Sequence, residues 1–171
     1  FFWRANMTAE TLTATRADPT FPVFKGSGAG AVCAAYGTYE IAANVEAGDI
    51  FKMCKVPKGA TIIGGWFYGD DLDTGTGVLD MDLGWAANGG SGTYDAVSTD
   101  GLGNLGALPG AAFANGNISR TVGLVYPFSG VFADGDLPTF TEETTIQIYA
   151  NVAANVFTAG AVSIVVLYVV S

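Results

Sequence analysis

The 171-residue sequence contains no histidine and only two cysteines, Cys33 and Cys54, which do not form a CxxC pair. Without histidine, neither a Ser-His-Asp nor a Cys-His catalytic group can form. A zinc site is disfavoured for the same reason. A GxSxG motif and a GxxxxGK[ST] phosphate loop are also missing from the sequence. We therefore predict a protein that is not an enzyme and binds no cofactor or metal. A disulfide remains open, although a small buried thiol suits each cysteine better.

Charged residues are scarce. They make up 13% of the chain against 50% hydrophobic residues, whereas soluble domains carry about 25% charged residues. Apolar surface is therefore expected to meet another chain, either a second copy or a larger assembly. The alternative is an exterior covered by Gly, Thr, Ser and Asn. Residues 61–171 hold one basic and eleven acidic residues, which argues against nucleic acid as a partner.

Long apolar runs of the membrane-spanning kind are missing as well. The apolar run at residues 159–170 is shorter than the ~20 residues that cross a bilayer. Its β-branched residues predict a buried strand. Arg4 interrupts the apolar start of the chain, so the sequence predicts no signal peptide and no membrane partner.

What the sequence does contain is apolar–polar alternation with a period of two. Gly, Pro and Asp turns separate the alternating segments, a pattern typical of an all-β, antiparallel β-sandwich of the jelly-roll kind with about eight strands. Two glycines in the third strand predict a bulge or a close backbone approach. A Gly-rich loop at residues 88–116 is expected to carry an interaction or to act as a lid. The predicted strands are 36–45, 50–56, 60–68, 78–85, 93–98, 119–128, 144–152 and 162–170, with a short extended piece at 130–133.

Residues 1–35 show no sustained alternation. Pro19, Pro22 and the glycines of residues 26–30 indicate an extended N-terminal arm with a Gly-rich linker, followed by a β-sandwich body at residues 36–171. A short helix at residues 7–17, capped by Thr8, is an alternative for part of the arm, although its threonines disfavour it.

Five acids cluster around one turn and the strand after it. They allow a solvated turn capped by Asp side chains, a Ca²⁺ site or a glycosidase pair, and we favour the turn. The acids are Asp70, Asp71, Asp73, Asp80 and Asp82.

Four aromatic residues in the same region allow two interpretations. Trp66, Tyr68, Trp85 and Tyr94 could form a sugar-binding platform. We favour core packing, because aromatic side chains dominate protein cores.

One stretch resembles a known family. Residues 48–75, GDIFKMCKVPKGATIIGGWFYGDDLDTG, resemble a pattern in structural proteins of tailed bacteriophages and gene-transfer particles. In that pattern a "(K/R)(I/V)P.GA" turn leads into an apolar strand and a "DLDTG" turn. The sequence matches at residues 55–57, 59–60, 71–75 and 79–84, and its last two strands look like the family's ending.

The resemblance implies a virion protein, in particular a capsid decoration (cement) protein with a jelly-roll body. Such a protein would bind the major capsid protein on the outer surface of the head, often as a homotrimer, after assembly in the host cytoplasm. A receptor- or glycan-binding head-fibre or tail module is the alternative. The predicted contact residues lie in the arm: Phe1, Phe2, Trp3, Arg4, Arg16, Phe21 and Phe24.

Overall fold

A computed structural model of the chain describes residues 9–23, 30–70, 72, 79–108, 124–128, 137–152 and 159–170. Within these ranges the chain forms nine strands and one short 3-10 helix, Thr15–Ala17. The predicted all-β fold is confirmed. The strands are β1 Thr11–Thr13, β2 Cys33–Ile41, β3 Ile50–Val56, β4 Ala60–Gly69, β5 Leu79–Trp85, β6 Ser98–Leu108, β7 Leu124–Pro127, β8 Thr144–Val152 and β9 Gly160–Val170.

The strands form two sheets, with the orders β1-β3-β8-β5-β6 and β2-β9-β4-β7. From β2 to β9, successive strands alternate between the sheets except for β5 and β6, which are neighbours in the five-stranded sheet. All of the pairings among these eight strands are antiparallel. This is the eight-stranded, double-Greek-key arrangement of a jelly roll. β1 is an additional strand, which pairs in parallel with β3. The predicted jelly-roll sandwich is therefore confirmed.

The core lies between the two sheets. On β5, the four side chains predicted to face inward, those of Leu79, Met81, Leu83 and Trp85, are at most 4% exposed. Burying a side chain of this size stabilises the fold by about 1.5–3 kcal/mol. The sheets approach closely where β2 crosses β3. A Cβ atom on Gly37 would lie 1.9 Å from the carbonyl oxygen of Met53, so only glycine fits there.

The glycines of β4 behave as predicted. The pairing of β4 with β9 shifts register between Ile62 and Gly64, which marks a β-bulge. A Cβ atom on Gly65 would lie 2.3 Å from the carbonyl oxygen of Val165 and 2.4 Å from the Phe128 ring. Both the bulge and the close approach therefore occur.

Other strand predictions need correction. Residues 93–96, most of a predicted strand, form turns and bends. The observed strand β6 runs through the predicted loop 88–116. β6 forms despite its glycines because the Trp85 ring packs over Gly101, where a Cβ atom would lie 2.3 Å from that ring. The predicted piece at 130–133 and residues 119–123 of the strand predicted at 119–128 lie outside the described residues.

Residues 9–23 of the predicted arm pack against the sandwich. The Ala14 amide donates to the Lys52 carbonyl oxygen (2.7 Å), and Ala14 and Ala17 are buried. The helix considered for residues 7–17 is wrong for its described part, which forms β1 and the 3-10 turn. β1 forms instead because its backbone finds partners along β3. The division into a 1–35 arm and a 36–171 body remains a prediction.

Candidate interaction surface

The cysteine and acidic side chains are the first candidates for a reactive or metal-binding site. Among the described residues, no group of three or more Cys, Asp or Glu side chains could hold a metal ion. Cys33 and Cys54 are buried free thiols, and burial raises the pKa of Cys54 to about 12. A thiol of that pKa is unreactive.

The acidic turn is described only in part. The Asp70 carboxylate accepts a hydrogen bond from the Ala161 amide at 2.7 Å, as expected of an Asp that caps backbone groups. On β5, Asp82 accepts a hydrogen bond from the Asn151 side-chain amide. Asp71 and Asp73 lie outside the described residues.

Another acidic residue, Asp95, orders the loop between β5 and β6. Asp95 is buried, and its carboxylate accepts bonds from the Thr141 hydroxyl and amide, the Asn88 side chain and the Gly92 amide. These bonds, led by the one from the Thr141 hydroxyl, lower the pKa of Asp95 well below its usual value. The acid therefore ties this loop to the segment before β8.

The outer face of the four-stranded sheet exposes three large aromatic side chains. Tyr36 on β2 is 49% exposed, and Trp66 and Tyr68 on β4 are 38% and 39% exposed. Val165 on β9 stands in register between Tyr36 and Trp66. Since neighbouring strands lie about 4.8 Å apart, Tyr36 and Trp66 are roughly 10 Å apart across the sheet. We call Tyr36, Trp66, Tyr68, Val165 and the half-buried Leu167 the aromatic face.

Charged residues are absent from the two central strands of this sheet, β4 and β9, and from most of the edge strand β2. Residues 34–39, 61–69 and 162–170, which include most of β2, β4 and β9, contain no Asp, Glu, Lys or Arg. The polar positions of the aromatic face are neutral: the hydroxyl groups of Thr38 and Ser163 are hydrogen-bonded across the strands at 2.8 Å. An uncharged sheet face with exposed aromatic residues is typical of a protein-binding surface.

The favoured core interpretation is wrong for Trp66 and Tyr68 and right for Trp85. Ile62 faces the core, so strict alternation would also turn residues 66 and 68 inward. The bulge after Ile62 reverses the alternation, and Phe67 is buried instead. Trp85 packs inside against Phe140 and Tyr94, with ring centroids 5.3 and 6.2 Å away.

Two of the predicted contact residues lie at the edge of this face. The Arg16 guanidinium stacks on the rings of Tyr36 and Phe21, 3.9 and 5.1 Å from their centroids, and it donates a hydrogen bond to the Tyr36 hydroxyl. The other predicted contacts, Phe1, Phe2, Trp3, Arg4 and Phe24, lie outside the described residues. Sequence reasoning missed Tyr36, whose only signal was its position in an alternating strand.

No protein-family model matches this chain, and no curated protein matches it. Among the described residues no helix is long and apolar enough to cross a membrane.

Solved structures do match. A chain in the capsid of Ralstonia phage GP4 superposes with a TM-score of 0.71 at 16% identity, covering 94% of this chain and 98% of that one. A chain in the capsid asymmetric unit of cyanophage Pam1 gives 0.59 at 20% identity, covering 91% and 96%. A chain in the acid-stable capsid of Helicobacter pylori bacteriophage KHP30 gives 0.53 at 12% identity, covering 84% and 92%. The chain therefore shares its fold with components of three phage capsids.

Proposed function

We propose that this chain is a non-enzymatic structural protein of a phage virion. The observation that carries the proposal is the likeness to the GP4 capsid chain, which extends over nearly the full length of both chains. The two chains therefore correspond over nearly all of their compared lengths. The sequence resemblance over residues 48–75 points to the same class of protein independently of the fold.

Within that class we propose a decoration (cement) protein, which binds major capsid subunits on the outer surface of the head. The aromatic face supports this role, because an uncharged, partly exposed aromatic sheet is suited to burial against another protein. Shell stabilisation then follows from burial: separating the subunits beneath the protein would expose its aromatic face to water.

The size of the aromatic face favours binding by several copies together. Aromatic side chains bury about 200 Å² each, so the exposed fractions of Tyr36, Trp66 and Tyr68 leave roughly 250 Å² to bury. At about 25 cal/mol per Å² this gives roughly 6 kcal/mol, which the cost of association, about 4–15 kcal/mol, would largely cancel. A trimer that presents three such faces would bind far more tightly than a single copy.

The experiment that tests the proposal is binding to capsids that lack the protein, measured as copies per particle. The full chain is expected to bind in hundreds of copies, and Trp66→Ser and Tyr36→Ser are expected to reduce occupancy at least tenfold at limiting concentration. Val97→Ser is the matched control, because Val97 is 58% exposed but lies in the loop before β6. Full occupancy by both aromatic variants would refute the role of the face, and a handful of copies per particle would refute shell decoration.

The predicted contacts in the N-terminal segment need a separate variant. Deleting residues 1–8 spares β1 and the buried Ala14 and Ala17, so the sandwich should stay folded. If Phe1, Phe2, Trp3 and Arg4 contact the capsid, this truncated protein should bind it more weakly. Unchanged occupancy would exclude them as capsid contacts.

A glycan-binding module is the second candidate, and the exposed neighbours Trp66 and Tyr68 favour it. If sugar rings stack on these two aromatic side chains, the protein should bind to a glycan array. Trp66→Ser should abolish that binding. Array binding without capsid binding would replace the decoration proposal.

A further inference from the structure

A cavity of about 200 Å³ opens beside the start of β1. It lies between β1, the end of β2 and the loop that leads to β3. Leu12, Tyr39 and Phe51 supply apolar walls, and the rings of Tyr39 and Phe51 are 5.7 Å apart. Small-molecule sites usually measure about 300–1,000 Å³. This cavity is therefore suited to one bulky side chain and not to a cofactor.

The charges around the cavity are all negative. Glu10, Glu40, Glu46 and Asp49 line it, and no lysine or arginine is among its lining residues, all of which are described. Asp49 is buried and accepts the backbone amides of Glu10 and Glu46, both at 2.8 Å. Glu10 and Glu40 are exposed to solvent. The cavity therefore offers an apolar interior and a carboxylate rim, which together fit an apolar side chain next to a basic one.

We propose that this cavity receives residues 1–4 of a second copy of the chain. One aromatic side chain of Phe1, Phe2 or Trp3 enters the cavity, and Arg4 pairs with the glutamates at the rim. The segment supplies both required features within four residues: three aromatic side chains in a row and one cation. This contact joins copies of the chain to one another and does not depend on the proposed capsid role.

The place where the segment leaves the sandwich supports exchange between copies. The described chain begins at Ala9, next to Glu10 on the cavity rim. Six residues extend at most about 20 Å, so Trp3 can reach a neighbouring copy that faces the same edge. To fill its own cavity, a chain would need a turn within residues 5–8, where Asn6 is the one residue of a type that strongly favours turns. Since the cavity and the segment share one edge, two copies can exchange segments reciprocally.

Photo-crosslinking tests whether the segment in the cavity comes from a second copy of the chain. The full-length chain with p-benzoylphenylalanine in place of Trp3 is mixed with an equal amount of ¹⁵N-labelled chain, irradiated and analysed by mass spectrometry. Crosslinks from position 3 of the unlabelled chain to residues 39–46 of the ¹⁵N chain are expected. Crosslinks within one copy, crosslinks that lie elsewhere, or no crosslink at a concentration at which the chain self-associates would each overturn the proposal.

A charge swap tests the chemistry of the rim. Arg4→Glu and Glu40→Lys should each weaken self-association about fivefold or more in sedimentation velocity at low salt, and an equimolar mixture of the two variants should restore it. Asp100→Lys is the matched control, because Asp100 is an exposed acid on β6, the strand at the opposite edge of the sheet. Wild-type association of both variants, or a mixture that stays weak, would overturn the pairing. Neither experiment contains capsids, so this contact and capsid binding can fail separately.

Discussion

Asp49 is expected to hold the N-terminal segment on the sandwich. Its side chain is 5% exposed, and its two oxygens accept hydrogen bonds from the Glu10 and Glu46 amides, both at 2.8 Å. The Ile50 amide donates in turn to the Glu10 carbonyl oxygen at 2.8 Å. One carboxylate therefore joins the residue before β1 to the loop between β2 and β3. We predict that Asp49→Asn destabilises the protein and loosens β1.

The magnitude follows from the two bonds. A hydrogen bond to a charged group contributes about 1.5–3 kcal/mol. Asparagine keeps one acceptor oxygen but turns an NH₂ group toward the second backbone donor, so one bond is lost and two donors face each other. The expected loss is about 2–3 kcal/mol, a substantial share of the roughly 5–15 kcal/mol that stabilises a domain.

Urea unfolding and hydrogen exchange measure the two consequences. The unfolding midpoint should fall, and the Glu10 and Ala14 amides should exchange at least tenfold faster, since about 1.4 kcal/mol corresponds to a factor of ten. Asp18→Asn is the control: Asp18 uses one oxygen to bond the exposed Thr20, and asparagine retains that oxygen. An unchanged midpoint and unchanged exchange in Asp49→Asn would refute the assigned role.

Three further predictions concern the sandwich. Gly37→Ala should destabilise it by about 1–3 kcal/mol or more in urea unfolding, because the new Cβ atom would lie 1.9 Å from the Met53 carbonyl oxygen; stability equal to wild type would show that the sheets can separate there. Asp95 has a lowered pKa, so its stabilising contribution is present above its unfolded pKa of about 3.9 and is lost as the pH falls toward the folded value. Thr141→Val, which removes the leading hydrogen bond, should shrink the loss of stability between pH 5 and pH 2, and an unchanged acid profile would contradict this. Cys54 should resist iodoacetamide at pH 8 until the protein unfolds, because its thiol is buried and has a pKa of about 12; rapid native labelling would show that the core opens.

Regular alternation made most of the fold predictable. β3 and β8 were predicted with their actual bounds, because turn residues flank each segment and apolar and polar residues alternate over most of it. A bulge between Lys52 and Cys54 interrupts the alternation of β3. β6 was missed because its sequence, STDGLGNLGAL, is poor in β-branched and aromatic residues. Its pairing with β5 and the space that Gly101 leaves for Trp85 decide its structure. Such a tertiary contact cannot be recognised from one segment of sequence.

The interaction surface was harder to predict than the fold, because a single bulge determines it. The sequence indicated that the glycines of β4 would disturb the strand, but not how the disturbance would shift the side chains that follow. A shift of one residue moves a whole set of side chains to the other face of a sheet. Finding the aromatic face therefore required the register of β4 against β9, which only the structure supplies.

The same bulge gives a physical reason to regard the aromatic face as functional. Without it, Trp66 and Tyr68 would point to the core side of β4, where burial would stabilise the monomer. With it, they are exposed on β4, which carries no charge, beside Tyr36 on β2. Gly64, at the bulge, has a positive φ of 156°, and a glycine inside a strand carries an entropic cost. A chain that needed only a stable monomer would gain nothing from this arrangement, whereas a chain that binds a partner through this sheet recovers the lost burial at the interface.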